Sequence, residues 1–355
     1  MLDYLLSAGH DVTVISCFED PAEKPFHSGL RYVHVPWRVR MPAALSLISD
    51  LVQARAMAEA LRQLPPFDVL DVQEANIAPI LFRAAEEVGT RKVYSIRQTV
   101  LFGPRRFSRV ATPILRHYNL AAARAADRCV AMTEVSRVAY AACGIDPRKI
   151  DVVPDAMEVP GRSASERGGS GGPRFIWVGR LYPGKAIEVA IQAARMVLES
   201  LPDARFDIVG SGVLMPLAQR LAGPDVGTRI VFHGHIHDPE VLAKMRSDAD
   251  VFYFTTVHEA FGRVLVEAMA QGLPCVATDI PVLREVMGDA GDYFPLNDVS
   301  GLAHRLIALA QDPAKRKRFA EQGPARVRDH YSHATVRRHL LASYERLFEP
   351  PQRAA

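Results

Sequence analysis

The chain has 355 residues, 48% of them apolar, and 43 Lys and Arg against 40 Asp and Glu; that length allows two domains with real cores, and the near-balance of charge gives no case for nucleic acid as a partner. Four cysteines, Cys17, Cys129, Cys143 and Cys275, stand without C-x-x-C spacing, which argues against a zinc site or a disulfide framework and fits a reducing compartment. No apolar run reaches the ~18–20 residues of a spanning helix and the start lacks the pattern of a secretory signal, so a cytoplasmic protein is expected, with any membrane contact peripheral at the inner face.

The opening residues, MLDYLLSAGH, read as the end of a helix with Leu2, Leu5 and Leu6 on its apolar face and Gly9 as its stop. Strands are expected at 11–17, 31–35, 67–72, 92–96, 128–132 and 149–153, and helices at 43–63, most of 105–126, and 133–143, the last capped by Thr133 and ended by Gly144. The stretch 161–173, GRSASERGGSGGP, is the one low-complexity segment and reads as a flexible linker. A second alternating set follows, with strands at 174–178, 205–209, 229–232, 251–254, 274–278 and 291–294 and helices at 186–200, 213–222, 239–247 and from about Phe261 onward. Helices fill the remainder to about Phe348.

Short apolar strands alternating with helices predict an α/β chain whose parallel sheets are covered on both faces. The expected domains are 1–157 and 174–332, joined by a linker at 158–173, with a last helix at 333–350. Ligands of such folds bind outside the carboxyl ends of the strands, in the cleft that two such domains leave between them.

The segment from His258 to Ala270, HEAFGRVLVEAMA, carries most information. Phe261, Val264, Leu265, Ala268 and Met269 follow the i, i+3, i+4, i+7, i+8 spacing of a buried helix face. Glu259 would stand just before the helix and Glu267 two turns in. Free N–H groups at a helix start favour an anion, and a deeper carboxylate suits sugar or ribose hydroxyls. On a helix the two carboxylates would lie ~9–12 Å apart along the axis, too far to act together on one glycosidic bond. Ordinary structure explains each singly: Glu259 as a charge that a helix N-terminus favours anyway, Glu267 as the partner of Arg263 four residues earlier.

Arg180 and Lys185 lie in FIWVGRLYPGK, the loop after the first strand of the second half, where Gly179 and Gly184 keep the backbone close to whatever is bound. Two fixed cations can neutralise a diphosphate without a metal, at roughly 1.5–3 kcal/mol per charge-assisted bond; the alternative is a pair of solvated loop charges. The next strand ends in Val209-Gly210-Ser211-Gly212, a weak signal that an ordinary tight turn also explains. His233, His235 and His237 alternate as metal ligands on a strand can, but Gly234 and the Asp238-Pro239 turn favour a loop, and no metal site is expected.

Taken together, Val178-Gly179-Arg180-Leu181 with Lys185, Val209 to Gly212, Glu259 to Met269 and Gly272 to Thr278 (GLPCVAT) resemble the retaining GT-B glycosyltransferases of the family-4 type, glycosyltransferase group 1. The resemblance is close over about 174–325 and looser in the first half, through Ala126-Asp127-Arg128 and Lys149 to Pro154. It implies two Rossmann-like domains, a nucleotide-diphosphate sugar held by the second, an acceptor (glycan, lipid-linked or small molecule) held by the first, and transfer with retention and without cofactor or metal. In that picture Arg180 and Lys185 stabilise the leaving diphosphate and Glu259 contacts the donor sugar. Amides near Phe261, Gly262, Arg263 and Val264 meet phosphate, Glu267 takes the ribose, and Gly179, Gly210, Ser211, His235 and Ile236 line the nucleotide. The last helix would cross back to the first domain.

Two departures bear on the first half. The family opens with a strand and a glycine-rich loop that the chain does not show, so a truncated or wrongly assigned start is expected. Where many relatives end a strand in histidine, Val93 to Ile96 is followed by Arg97, which cannot act as a base near neutral pH and would act on the acceptor side electrostatically. From Val88 to Ala126 there is no Asp or Glu, while Arg105, Arg106, Arg109 and Arg116 fall there with Phe102 and Phe107 interleaved. This is either a solvated basic face or a surface for anionic lipid headgroups or a phosphate-bearing acceptor. The rival functions are an inactive sugar-nucleotide-binding module and, less favoured by the E-x7-E spacing, a GT-B nucleotide-sugar epimerase.

Overall fold

The computed structural model of the chain describes residues 2–17, 29–36, 46–97, 111–160 and 171–349. They form two compact units, one from the start to Pro154 together with the chain from Val336 on, the other Asp155–Thr335. The break thus falls at Pro154, and most of the glycine-rich stretch, residues 161–170, lies outside the described residues.

The first unit runs α1 (Leu2–Ser7), β1 (Thr13–Ser16), β2 (Arg31–His34), α2 (Ser46–Arg62), β3 (Val69–Val72), α3 (Ala78–Glu87), β4 (Arg91–Ile96), α4 (Ala111–Ala125), β5 (Arg128–Ala131), α5 (Glu134–Ala142) and β6 (Ile150–Val152). The second continues with β7 (Arg174–Val178), α6 (Ile187–Ser200), β8 (Arg205–Val209), α7 (Met215–Ala222), β9 (Ile230–Gly234), α8 (Pro239–Ser247), β10 (Val251–Phe254), α9 (Arg263–Ala270), β11 (Cys275–Thr278), α10 (Pro281–Met287), β12 (Asp292–Phe294), α11 (Val299–Gln311) and α12 (Pro313–Tyr331). The last helix, α13 (His333–Glu345), starts in the second unit and runs into the first.

Strand pairing is parallel in every ladder, in the orders β1-β2, β3-β4-β5-β6 and β12-β11-β10-β7-β8-β9. The α/β reading with parallel sheets therefore holds in both units. Burial explains it: every residue of β10 (VFYF) and β11 (CVAT) is buried, as expected of strands covered on both faces. In the second unit Phe175 stacks on Phe206 at 4.7 Å between ring centres, and Tyr253 meets Phe206 edge-on at 5.9 Å. Such pairs add about 0.5–1.5 kcal/mol beyond the area they bury.

One element departs from the expected set. No element is expected from the sequence between Val72 and Lys92, yet α3 fills that space, with Pro79 in its first turn and Leu81, Phe82, Ala84 and Ala85 buried. Thr133 caps α5 as expected, accepting from Ser136 N–H at 3.2 Å. In the first unit's core, Tyr94 and Tyr140 both donate to Asn119 Oδ1, at 2.8 and 3.0 Å, so three buried polar groups satisfy one another.

The end of the chain is tied into the first unit by polar groups. Tyr344 donates to Asp71 Oδ2 at 2.8 Å, Ser343 to Asp151 Oδ2 at 2.8 Å, and Arg346 to Asp151 Oδ1 at 2.7 Å. Arg128 completes the second cluster with bonds of 2.7 and 3.1 Å to Asp151. Burial pushes the Asp151 carboxyl up, but the bonds from Arg128 and Ser343 and the charges of Arg128 and Arg346 outweigh it and leave its pKa below the ordinary value. A carboxylate with a depressed folded pKa stabilises the fold above its unfolded pKa, and that contribution is lost as pH falls through the folded value. Asp151→Asn should therefore cost roughly 2–3 kcal/mol at pH 7. In denaturant titrations the gap from the parent should close at pH values below about 4; a gap that stays constant with pH would exclude the electrostatic origin.

Candidate functional site

Because all six strands of the second sheet are parallel, the loops after β7, β8, β9 and β10 gather at one carboxyl edge. They are joined backbone to backbone. Gly179 N–H donates to Val209 C=O at 3.0 Å, Leu181 N–H to Ser211 C=O at 2.9 Å, and Gly210 N–H to Gly234 C=O at 2.7 Å. Gly210 has φ +135, and a Cβ there would lie 1.8 Å from Gly179 C=O. The two glycine motifs are thus required by loops packing on loops, which is why a side chain is excluded at Gly210 whatever the site binds.

Lys185 and Glu259 meet at this edge in an ion pair, with side chains only 22% and 14% accessible. Lys185 Nζ also lies 5.5 Å above the centre of the Phe254 ring, a favourable cation–π position. Two threonines following β10 fix the backbone beneath the pair. Trp177 Nε1 donates to Thr255 Oγ1, which donates to Lys185 C=O, both at 2.9 Å. Val257 N–H donates to Gly184 C=O at 2.9 Å, and Thr278 Oγ1 accepts from Thr256 N–H at 3.1 Å. Arg180 by contrast is exposed, with the Tyr182 ring centre 5.9 Å from its guanidinium carbon.

The helix expected from Phe261 begins two residues later. Gly262 caps α9 in the left-handed region at φ +89, a backbone setting that glycine enters without strain. Phe261 therefore stays in the loop, 2% exposed, with its ring edge-on to Tyr331 at 5.2 Å. The axial spacing of Glu259 and Glu267 along one helix accordingly does not apply. Leu265 and Val266 N–H both turn back to Gly262 C=O, which leaves the amides of Arg263 and Val264 heading the helix.

Glu267 is paired with the arginine four residues before it, Arg263 Nε at 3.1 Å, and with one the sequence did not reveal, Arg246 NH1 at 3.1 Å. Of the three histidines, His233 Nε2 lies 2.8 Å from Asp207 Oδ1 while exposed His235 stacks edge-on against His237 at 4.3 Å. Among the described residues no group of three or more His, Cys, Asp or Glu could hold a metal. Ile236 and Gly210 border the same edge through the loops after β9 and β8. Arg97 follows β4 in the first unit, where its positive charge acts on Asp71; burial raises that carboxyl, and the bonds from Tyr344 and Ser95 and the Arg97 charge oppose the rise. Arg105, Arg106 and Arg109, with Phe102 and Phe107, lie outside the described residues; Arg116 is exposed on α4.

Solved structures share this fold. Sucrose-phosphate synthase from Thermosynechococcus elongatus superposes with a TM-score of 0.81 at 20% identity, over 97% of this chain and 91% of that one. The fold is GT-B, with parallel α/β sheets in two domains. The model for Glycosyltransferase Family 4 matches residues 1–160 and that for Glycosyl transferases group 1 matches 172–312. The chain belongs to the family-4, group 1 glycosyltransferases. It is 35% identical over 178 residues to the phosphatidyl-myo-inositol mannosyltransferase of Mycobacterium leprae, covering 49% of this chain and 46% of the relative. Against the enzyme of that name in Mycolicibacterium smegmatis the identity is 29%, over 97% of this chain and 88% of the relative. The alignment thus spans about half the length of the first of these relatives and most of the second.

Sequence reasoning misses Arg246, Thr255 and Thr256, whose roles depend on which helices and strands become neighbours. It also passes over His258, the half-buried neighbour of Glu259 in sequence. Burial, then the Lys185 charge, holds the His258 imidazole below its ordinary pKa of 6.5, with Glu259 pulling the other way. The unfolded chain therefore takes up this proton more readily than the folded one, so the stability contribution is complete above pH 6.5 and declines as pH falls below it. Stability measured by denaturant titration should fall as pH drops below about 6.5, and His258→Gln should flatten part of that slope. An unchanged slope in the variant would place its origin elsewhere.

Proposed function

We propose that the chain transfers a sugar from a nucleoside-diphosphate sugar to an acceptor hydroxyl, with retention of configuration and without a divalent metal. The observation that carries this reading is the Lys185–Glu259 pair at the carboxyl edge, with Glu259 in the loop that leads into α9, in a family-4 chain. In the pair each charge compensates the other. A donor would exchange them: Lys185, with Arg180 and the amides of Arg263 and Val264, would take the diphosphate, and Glu259 would take sugar hydroxyls. Gly210, Ser211, His235 and Ile236 would border the nucleotide and Glu267 its ribose.

Catalysis is then charge stabilisation in a preformed site. Fixed donors aimed at the departing diphosphate lower the barrier as negative charge grows there, and each typically contributes about 10²–10³ in turnover. The departing phosphate would accept the proton of the incoming hydroxyl on the same sugar face, which is what retention requires. No side chain of the first unit is needed as a base, consistent with arginine at position 97. Arg97 would instead favour an anionic acceptor. The relatives' name specifies mannose and phosphatidyl-myo-inositol, so the UDP, GDP and ADP forms of mannose and inositol phospholipids head the donors and acceptors to screen. A cytoplasmic enzyme reaching such a lipid would do so peripherally, through the basic stretch that includes Arg105, Arg106, Arg109 and Arg116.

Lys185→Ala should lower turnover by at least ~10² while circular dichroism stays native; near-normal turnover in that variant would sink the assignment. Transfer should survive EDTA, and a product with inverted anomeric configuration by NMR would overturn the mechanism. Nucleotide-sugar binding without transfer to any acceptor would favour a binding module instead.

A further inference from the structure

Both carboxylate oxygens of Glu267 are engaged, and the two arginines that engage them differ in kind. Arg263 opens α9 with 64% of its side chain accessible, whereas the Arg246 side chain, in the last turn of α8, is 8% accessible. A cation so far from water is costly unless every donor is directed. Arg246 Nε donates to Gln271 Oε1 at 2.6 Å and its NH1 to Glu267 Oε2 at 3.1 Å. Gln271 caps the end of α9 and returns a bond from Nε2 to Ala243 C=O on α8 at 3.4 Å. Glu267 and Gln271 are four residues apart on one face of α9, so Arg246 spans both and holds the two helices together through them.

The exposed pair with Arg263 contributes little and opens readily. The buried one fixes the carboxylate. A carboxylate has about four lone-pair positions; with Oε2 held by Arg246 and Oε1 shared with a solvent-exposed partner, those left for a ligand are on a side chain already ordered.

We propose that Arg246 is a positioning residue for nucleotide recognition: it locks Glu267 in the one rotamer that accepts ribose hydroxyls, and it thereby sets the preference for ribose over deoxyribose. The inference rests on the donor reading above. Ordering the acceptor before binding removes an entropic cost from association. It also makes a missing hydroxyl conspicuous, because a carboxylate that cannot turn away to water is left with an unmet bond.

Isothermal titration with UDP, GDP and ADP, each beside its 2′-deoxy and 3′-deoxy forms, tests this. The parent should bind at least one diphosphate and favour a ribose form over its deoxy counterpart by about tenfold or more. Arg246→Met should shrink that preference toward one, Arg246→Lys should recover part of it, and Gln271→Met, which releases Arg246 Nε while keeping the charge, should fall between. Thermal melts and circular dichroism accompany each variant. If Arg246→Met does not fold, Gln271→Met decides, and an unchanged ribose preference there overturns the proposal. A folded Arg246→Met that keeps the full preference also overturns it. A parent that binds no diphosphate overturns the donor reading and this proposal with it, whereas binding and discrimination that survive both substitutions remove the role of Arg246 alone.

Discussion

The second unit depends on how closely its edge loops approach one another. Gly210 contacts Gly179 C=O so tightly that no side chain fits between them, and the same closeness lets Leu181 and Gly179 borrow hydrogen-bond partners from the next loop. Each loop is anchored to its neighbour through backbone groups, which cannot change rotamer. Lys185 and the Thr255–Thr256 step inherit that rigidity, since Gly184 and Lys185 carbonyls are themselves acceptors for the β10 loop. A site meant to stabilise charge benefits from such an arrangement, because groups that need not reorganise exert their full field on the ligand.

The charges show a second constraint. Around the edge nearly every ionised group already has an opposite partner: Lys185 with Glu259, Glu267 with Arg246 and Arg263. Half-buried charges left single would each cost free energy, and pairing within the fold offsets that cost. Arg180 differs, being exposed and without an ion pair among the described residues. It is a group at this edge whose charge is left open to solvent.

The fold class, the alternation of strands and helices and the Thr133 cap were legible because period and capping chemistry are local properties. The pairing of Glu267 with Arg263 was legible for the same reason. The start of α9 was not, since a left-handed Gly262 and a helical glycine look alike in sequence. Helix α3 was in principle legible as well, through Pro79 in its first turn and the buried apolar face of Leu81, Phe82, Ala84 and Ala85. Arg246 was invisible for a deeper reason: its significance arises only when α8 packs beside α9, a tertiary fact. Fully buried arginine is uncommon, and nothing in Met245-Arg246-Ser247 distinguishes it from a surface residue.

The path of α13 has a consequence for synthesis. Asp151 waits for Ser343, which lies 192 residues further along, and at about 5–20 residues per second that interval lasts roughly 10–40 s. The second unit is continuous in sequence and needs no residue beyond Thr335, whereas the first must wait for the segment from Val336 on. Until then Asp71 and Asp151 remain without the partners that Tyr344, Ser343 and Arg346 bring. The order of translation thus makes the first unit the last to close, and the end of the chain serves as the fastener of its beginning.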